Sequence, residues 1–127
     1  MGQLRRRPLV CVSGSLLPVT DAGYMVHGAG ERNIDSLERF SDCLPMVLPS
    51  LGSRLEIRDL LKRMDGVLLT GARANVEPHH YGGQPFPKDE PIDPERDETI
   101  LAVVSEAVTM GLPVFGICRG IQEMNVA

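Results

Sequence analysis

The stretch PVFGICRGIQEMNVA, residues 113–127, decides how the chain is read. Residues 113–118 form a short apolar run of strand type and residues 120–127 read as the start of a helix. Cys118 stands at the junction, with Gly116 and Gly120 two positions to either side. A nucleophile on a sharp strand-to-helix turn needs small neighbours, because its own backbone is strained and the flanking chain passes close by. The same turn aims the first N–H groups of the helix at the sulfur, where their partial positive charge favours a thiolate. The N–H of Arg119 can then face a carbonyl oxygen held against the sulfur, and Gly71, closing the run GVLLTG (66–71), is the natural second donor. The alternative is a small buried cysteine, the usual fate of this residue type. The Gly-x-Cys-x-Gly context favours the elbow, whereas Cys11 and Cys43 have no such context and read as structural. A phosphatase-type phosphate loop would need an arginine six positions on, where this chain has Met124.

Working outward, LVCVSG (9–14), PMVLP (45–49), GVLLTG (66–71) and PVFGIC (113–118) are nearly continuous apolar runs bounded by Gly or Pro. Strands covered on both faces have this signature. They predict parallel strands at 9–13, 45–48, 66–70 and 113–117. Helical spacing recurs between them, with Ile34, Leu37 and Phe40 in 31–42, and Ile57, Leu60, Leu61 and Met64 in 53–64. The clearest helix is DPERDETILAVVSEAVTMGLP, with Asp93 as N-cap, Pro94 as first helical residue, and acids Glu95, Asp97 and Glu98 in the first turn. Leu101, Val104 and Val108 share a face, and Gly111 with Pro113 supplies the stop. Alternating strands and helices give a parallel α/β sheet with ligands beyond its carboxyl edge. Long segments at 13–30 and 70–93 and Cys118 itself lie at that edge, and tight turns at the other.

The chain has 127 residues, 43% apolar and 24% charged, with a formal charge of −4, the composition of one globular domain. Basic residues are scattered apart from Arg5, Arg6 and Arg7, which argues against a nucleic-acid partner. No apolar run is long enough for a membrane span or a signal peptide, so a cytoplasmic protein is expected. Three cysteines without a CxxC pair argue against a disulfide framework and a structural zinc site.

GVLLTGARANVEPHHYGG (66–83), DPERDETIL (93–101) and PVFGICRGIQEMNVA (113–127) resemble the class I glutamine amidotransferase-like hydrolases, and within them the gamma-glutamyl-gamma-aminobutyrate hydrolase type. The resemblance runs over most of residues 45–127 and is weaker before that. It implies a flavodoxin-like three-layer sandwich with a mainly parallel sheet, and hydrolysis of a small gamma-glutamyl amide through a thioester, with no cofactor and no metal. It makes Cys118 the nucleophile, the N–H groups of Gly71 and Arg119 the oxyanion hole, and Gln122 a contact to the glutamyl head group. Ala72 stands where many relatives have Gly or Ser, which a loop acting through its backbone tolerates. The family's triad histidine and glutamate lie well beyond the cysteine in a longer chain. By resemblance, therefore, residues 1–127 are the N-terminal part of a single domain, truncated after the nucleophile elbow. His79 and His80 match no catalytic position. They read as solvated or backbone-bonded loop histidines whose adjacent side chains point apart and make a poor metal pair. A non-catalytic ligand-binding or interaction module keeping the fold is the rival reading. A homo-oligomer is allowed.

Overall fold

The computed structural model describes residues 5–127; Met1–Leu4, the start of the basic lead, lie outside the described residues. In chain order the elements are β1 (Leu9–Ser13), β2 (Ser15–Pro18), β3 (Met25–Gly28), α1 (Glu31–Phe40), β4 (Leu44–Leu48), α2 (Ile57–Leu61), β5 (Gly66–Leu69), α3 (Pro94–Thr109), β6 (Val114–Gly116) and α4 (Arg119–Val126). The four apolar runs pair in parallel in the order β4-β1-β5-β6. Strand order therefore reverses between β1 and β5, the switch point at which open α/β sheets bind ligands. Burial is continuous along β5, but the edge strands β4 and β6 leave Leu44, Met46 and Phe115 exposed, against the expectation that every run is covered on both faces. Cys11, Val67 and Leu69 pack with Leu61 of α2 and with Ile100, Val103 and Ala107 of α3. On the opposite face Leu37 of α1 borders a cavity of about 490 Å³ with Val10, Leu68 and Phe115.

At the switch point the strand ends are pinned together. Ser13 Oγ lies 3.2 Å from Thr70 Oγ1 and accepts from the Thr70 N–H at 2.9 Å, while Thr70 Oγ1 donates to Ser13 O at 3.1 Å. Helix α3 starts as its sequence predicts, with Asp93 Oδ1 accepting from the Arg96 N–H at 3.1 Å and Pro94 in the first turn. It stops at Gly111, whose φ of 72° only glycine adopts freely.

Four further expectations change. The segment 13–30 contains an antiparallel hairpin, β2 against β3, with Ser15 opposite Gly28 and Pro18 opposite Met25. Half-exposed strands of four residues leave no continuous apolar run to announce them. The buried face of α3 is Ile100, Val103, Val104 and Ala107, whereas Val108 is exposed. The true stripe is continued N-terminally by buried Arg96 and Asp97, whose charges hide it from a hydrophobicity count. Phe40 is 82% exposed and no residue of α1 is fully buried, because α1 covers only part of its sheet face. The helix expected over 53–64 is a 3-10 turn, Gly52–Arg54, followed by α2, because the backbone between them is not helical, with ψ 124° at Leu55 and 82° at Glu56.

Deleting the Leu61 side chain, which has no exposed surface, should cost about 2–5 kcal/mol in urea unfolding, whereas Phe40→Ala should stay within about 0.5 kcal/mol. Burial pushes the Cys11 thiol from its ordinary 9.0 up to about 12. A raised value means stability that is complete below pH 9 and lost between pH 9 and about 12, as the unfolded thiol ionises first. Cys11→Ala should remove that alkaline part of the stability profile.

Candidate functional site

Cys118 is the N-cap of α4 and is exposed, with φ 54° and ψ −109°. Two non-glycine residues among those described have positive φ, Asp42 and Cys118. Aspartate tolerates this region and cysteine pays for it, so the strain must be held by the surroundings. The glycines show how. A Cβ at Gly120 would lie 2.5 Å from Leu69 O and 2.7 Å from Leu69 Cβ, so α4 reaches β5 only because that carbon is missing. A Cβ at Gly116 would meet Gly120 C and Met124 Sδ at 2.8 Å. Gly71 brings its backbone beside the cysteine, and a Cβ there would lie 3.3 Å from Cys118 Cβ and 3.9 Å from Sγ.

The backbone donors around the sulfur divide into used and unused. Gly120 N donates to Ile117 O at 2.9 Å, Ile121 N to Cys118 O at 3.0 Å and Ile117 N to Leu69 O at 2.9 Å. Among the described residues the N–H groups of Arg119 and Gly71 donate to no protein acceptor. Gln122 faces the loop after β5, where its Oε1 accepts from Val76 N at 3.2 Å and its Nε2 donates to Asn75 Oδ1 at 2.8 Å. With Tyr81, Phe86 and Asn125 it lines a cavity of about 520 Å³. A second cavity, about 350 Å³, lies between the hairpin and Gly71–Ala74.

Beneath the elbow lies a feature that the sequence did not announce. Arg96, Asp97, Arg119 and Glu123 are all 1% exposed or less. Arg96 grips Glu123 with two contacts, Nε to Oε1 at 2.7 Å and Nη2 to Oε2 at 3.2 Å. Arg119 Nε reaches the same Oε1 at 2.9 Å, and its Nη2 pairs with Asp97 Oδ1. The remaining donors leave the cluster: Arg96 to Ser15 Oγ at 3.1 Å and Thr70 O at 2.6 Å, and Arg119 to Ala74 O at 2.9 Å. Two signals pointed here. Arg119 and Glu123 are four apart on one helix, and a basic residue, Arg96, sits in the acidic first turn of α3, where the helix dipole disfavours it.

The histidines hold other places. His27 Nδ1 accepts from the Ser50 N–H at 3.2 Å. His79 and His80 do not point apart, their ring centroids being 4.0 Å from each other, and His80 Nε2 lies 3.6 Å from Asp97 Oδ2. No cluster of three metal-ligating side chains occurs among the described residues. Nor is any described helix long and apolar enough to cross a membrane.

A model of the Peptidase C26 family matches residues 8–127. The chain belongs to the Peptidase C26 family. This Peptidase C26 chain is 43% identical over 86 residues to the gamma-glutamyl-gamma-aminobutyrate hydrolase of Escherichia coli O157:H7, covering 66% of this chain and 33% of that protein. It is 42% identical over 86 residues to the gamma-glutamyl-gamma-aminobutyrate hydrolase PuuD of Escherichia coli K12, with the same shares of 66% and 33%. It is also 30% identical over 122 residues to protein NtpR of Enterococcus hirae, covering 94% of this chain and 50% of that protein. The chain thus spans about a third of the length of the first two relatives.

The steric argument makes Gly120→Ala the sharpest probe of the turn. Its Cβ would enter the space of Leu69 O, so the variant should lose the thiol reactivity of Cys118 toward iodoacetamide while the far-ultraviolet circular dichroism of α3 persists.

Proposed function

We propose that the chain is the N-terminal part of a single glutamine amidotransferase-like domain whose whole protein is a cytoplasmic cysteine hydrolase of gamma-glutamyl amides. The observation that carries this reading is the strained, exposed Cys118 between two backbone N–H groups, of Gly71 and Arg119, that have no protein acceptor. Preorganised donors of this kind stabilise the oxyanion that forms when a carbonyl is attacked. In the proposed reaction the Cys118 thiolate adds to the gamma-carbonyl carbon, the amine leaves with a proton, and a thioester remains. Water then cleaves the thioester, releasing the gamma-carboxylate and restoring the thiol. Gln122 contributes to head-group binding: its two contacts to residues 75 and 76 leave one amide hydrogen and one oxygen lone pair for a substrate. The hydrolase names of the Escherichia coli relatives support the substrate class.

Proton transfer needs a base, and within residues 1–127 the resemblance matches none. Among the described residues no histidine hydrogen-bonds to Cys118; His27 is bonded to Ser50, and His80 lies beside Asp97. That observation favours, for the 127-residue chain alone, the second reading of a non-catalytic module that binds a ligand or is alkylated without turnover.

The whole protein should hydrolyse gamma-glutamyl-gamma-aminobutyrate, and Cys118→Ala should abolish the amine release. The 127-residue chain should match the Cys118→Ala variant, because losing general acid–base help costs roughly 10²–10⁴-fold and more where residues act as a unit. Sustained multiple turnover by the pure 127-residue chain would instead assign the base to His27, His79 or His80.

A further inference from the structure

We infer that Arg96, Asp97, Arg119 and Glu123 are positioning residues that set the distance between the nucleophile and its oxyanion donors, an inference that rests on the hydrolase reading above. The case is one of connectivity. The loop after β5 carries the Gly71 donor, and it is fastened at four backbone points on either side of that donor's neighbourhood. Thr70 O takes Arg96, Ala74 O takes Arg119, Val76 N gives to Gln122, and Glu77 N gives to Asp97 Oδ2 at 3.1 Å. Arg119 and Glu123 belong to α4, whose first residue follows Cys118, so the sulfur hangs from the same cluster.

Pairing of β5 with β6, with Ile117 N donating to Leu69 O at 2.9 Å, brings the two halves of the site together, but beyond those strand ends little direct contact fixes their separation. Gly71 presents only backbone to Cys118, and the cysteine side chain makes no hydrogen bond of its own among the described residues. Their spacing is therefore set through Glu123, whose Oε1 is shared by both guanidinium groups. A planar fork can hold an acid on one side and a carbonyl on the other with fixed angles, which a lysine ammonium cannot. Arg119 accordingly has separate duties for its two halves, the backbone N–H facing the reaction and the side chain gauging the distance from α4 to residues 74 and 97. The hairpin is tied to the same gauge through Ser15.

The test uses site-resolved acylation of the unaltered chain and of Arg119→Lys and Glu123→Gln by p-nitrophenyl acetate at neutral pH, a reagent whose carbonyl oxygen becomes an oxyanion under attack, followed by peptide mass spectrometry. The three cysteines act as internal controls: Cys118 is exposed, Cys43 is half-buried and Cys11 is buried. Both variants should slow Cys118 by about tenfold, well within the ~10²-fold that a 1 Å misplacement can cost, with Cys43 unchanged and Cys11 still protected. A Cys118 rate within about twofold of the unaltered chain in either variant would overturn the positioning role, since the donors would then have kept their distance from the sulfur. Deprotection of Cys11 in both variants would also overturn it, because the cluster would then be a requirement of the whole fold. If Cys118 in the unaltered chain reacts no faster than Cys43, the nucleophile reading itself fails and takes the inference with it.

Discussion

Two arginines and two carboxylates buried to 1% exposure or less constitute the constraint on which the carboxyl edge of this sheet depends. Burying four charges is costly, and the cost is offset only where every donor and acceptor is matched. Here the charges sum to zero and the spare guanidinium donors end on Ser15 Oγ, Thr70 O and Ala74 O. Removing one member would leave an uncompensated charge in a dry interior, an effect of about 3–5 kcal/mol in comparable pairs. The cluster is thus as much a part of the core as Ile100 or Leu69, and it occupies the place where α3 and α4 would otherwise need apolar packing.

The elbow stands on that base and on missing atoms. Gly120 gives up a Cβ so that α4 reaches Leu69, and Gly116 gives one up so that the first turn of α4 can fold back over β6. Cys118 is then forced to φ 54°, a conformation costing of order 1–3 kcal/mol that only an over-determined environment maintains. Steric closeness below and ion pairing beside the turn supply that environment together.

How much of this was legible in the sequence follows from the range of each interaction. The four parallel strands were readable from apolar runs bounded by Gly or Pro, although only β5 is buried throughout, and the N-cap at Asp93 because capping is settled within three residues. The turn at Cys118 was readable from two glycines at fixed offsets. The face of α3 was misjudged, because Arg96 and Asp97 continue its buried stripe and no hydrophobicity pattern counts them. The hairpin escaped because its strands are short and half-exposed. The charged cluster left only two local traces, the spacing of Arg119 and Glu123 and the place of Arg96 in an acidic first turn, because its partners are brought together by the fold: nothing near Arg96 in the chain announces Glu123 or Ser15.

The span of those contacts makes the site a product of the whole fold. Arg96 meets Ser15 across 81 positions, Arg119 meets Ala74 across 45, and Arg96 meets Glu123 across 27. Closing such loops costs entropy that grows only slowly with span, so the cluster can tie together segments that lie far apart in the chain. The strained torsion at Cys118 is therefore held by contacts that no short segment contains. A peptide of residues 113–127 would carry the cysteine and both of its glycines yet lack Leu69, Arg96 and Asp97, and with them everything that keeps the turn in place.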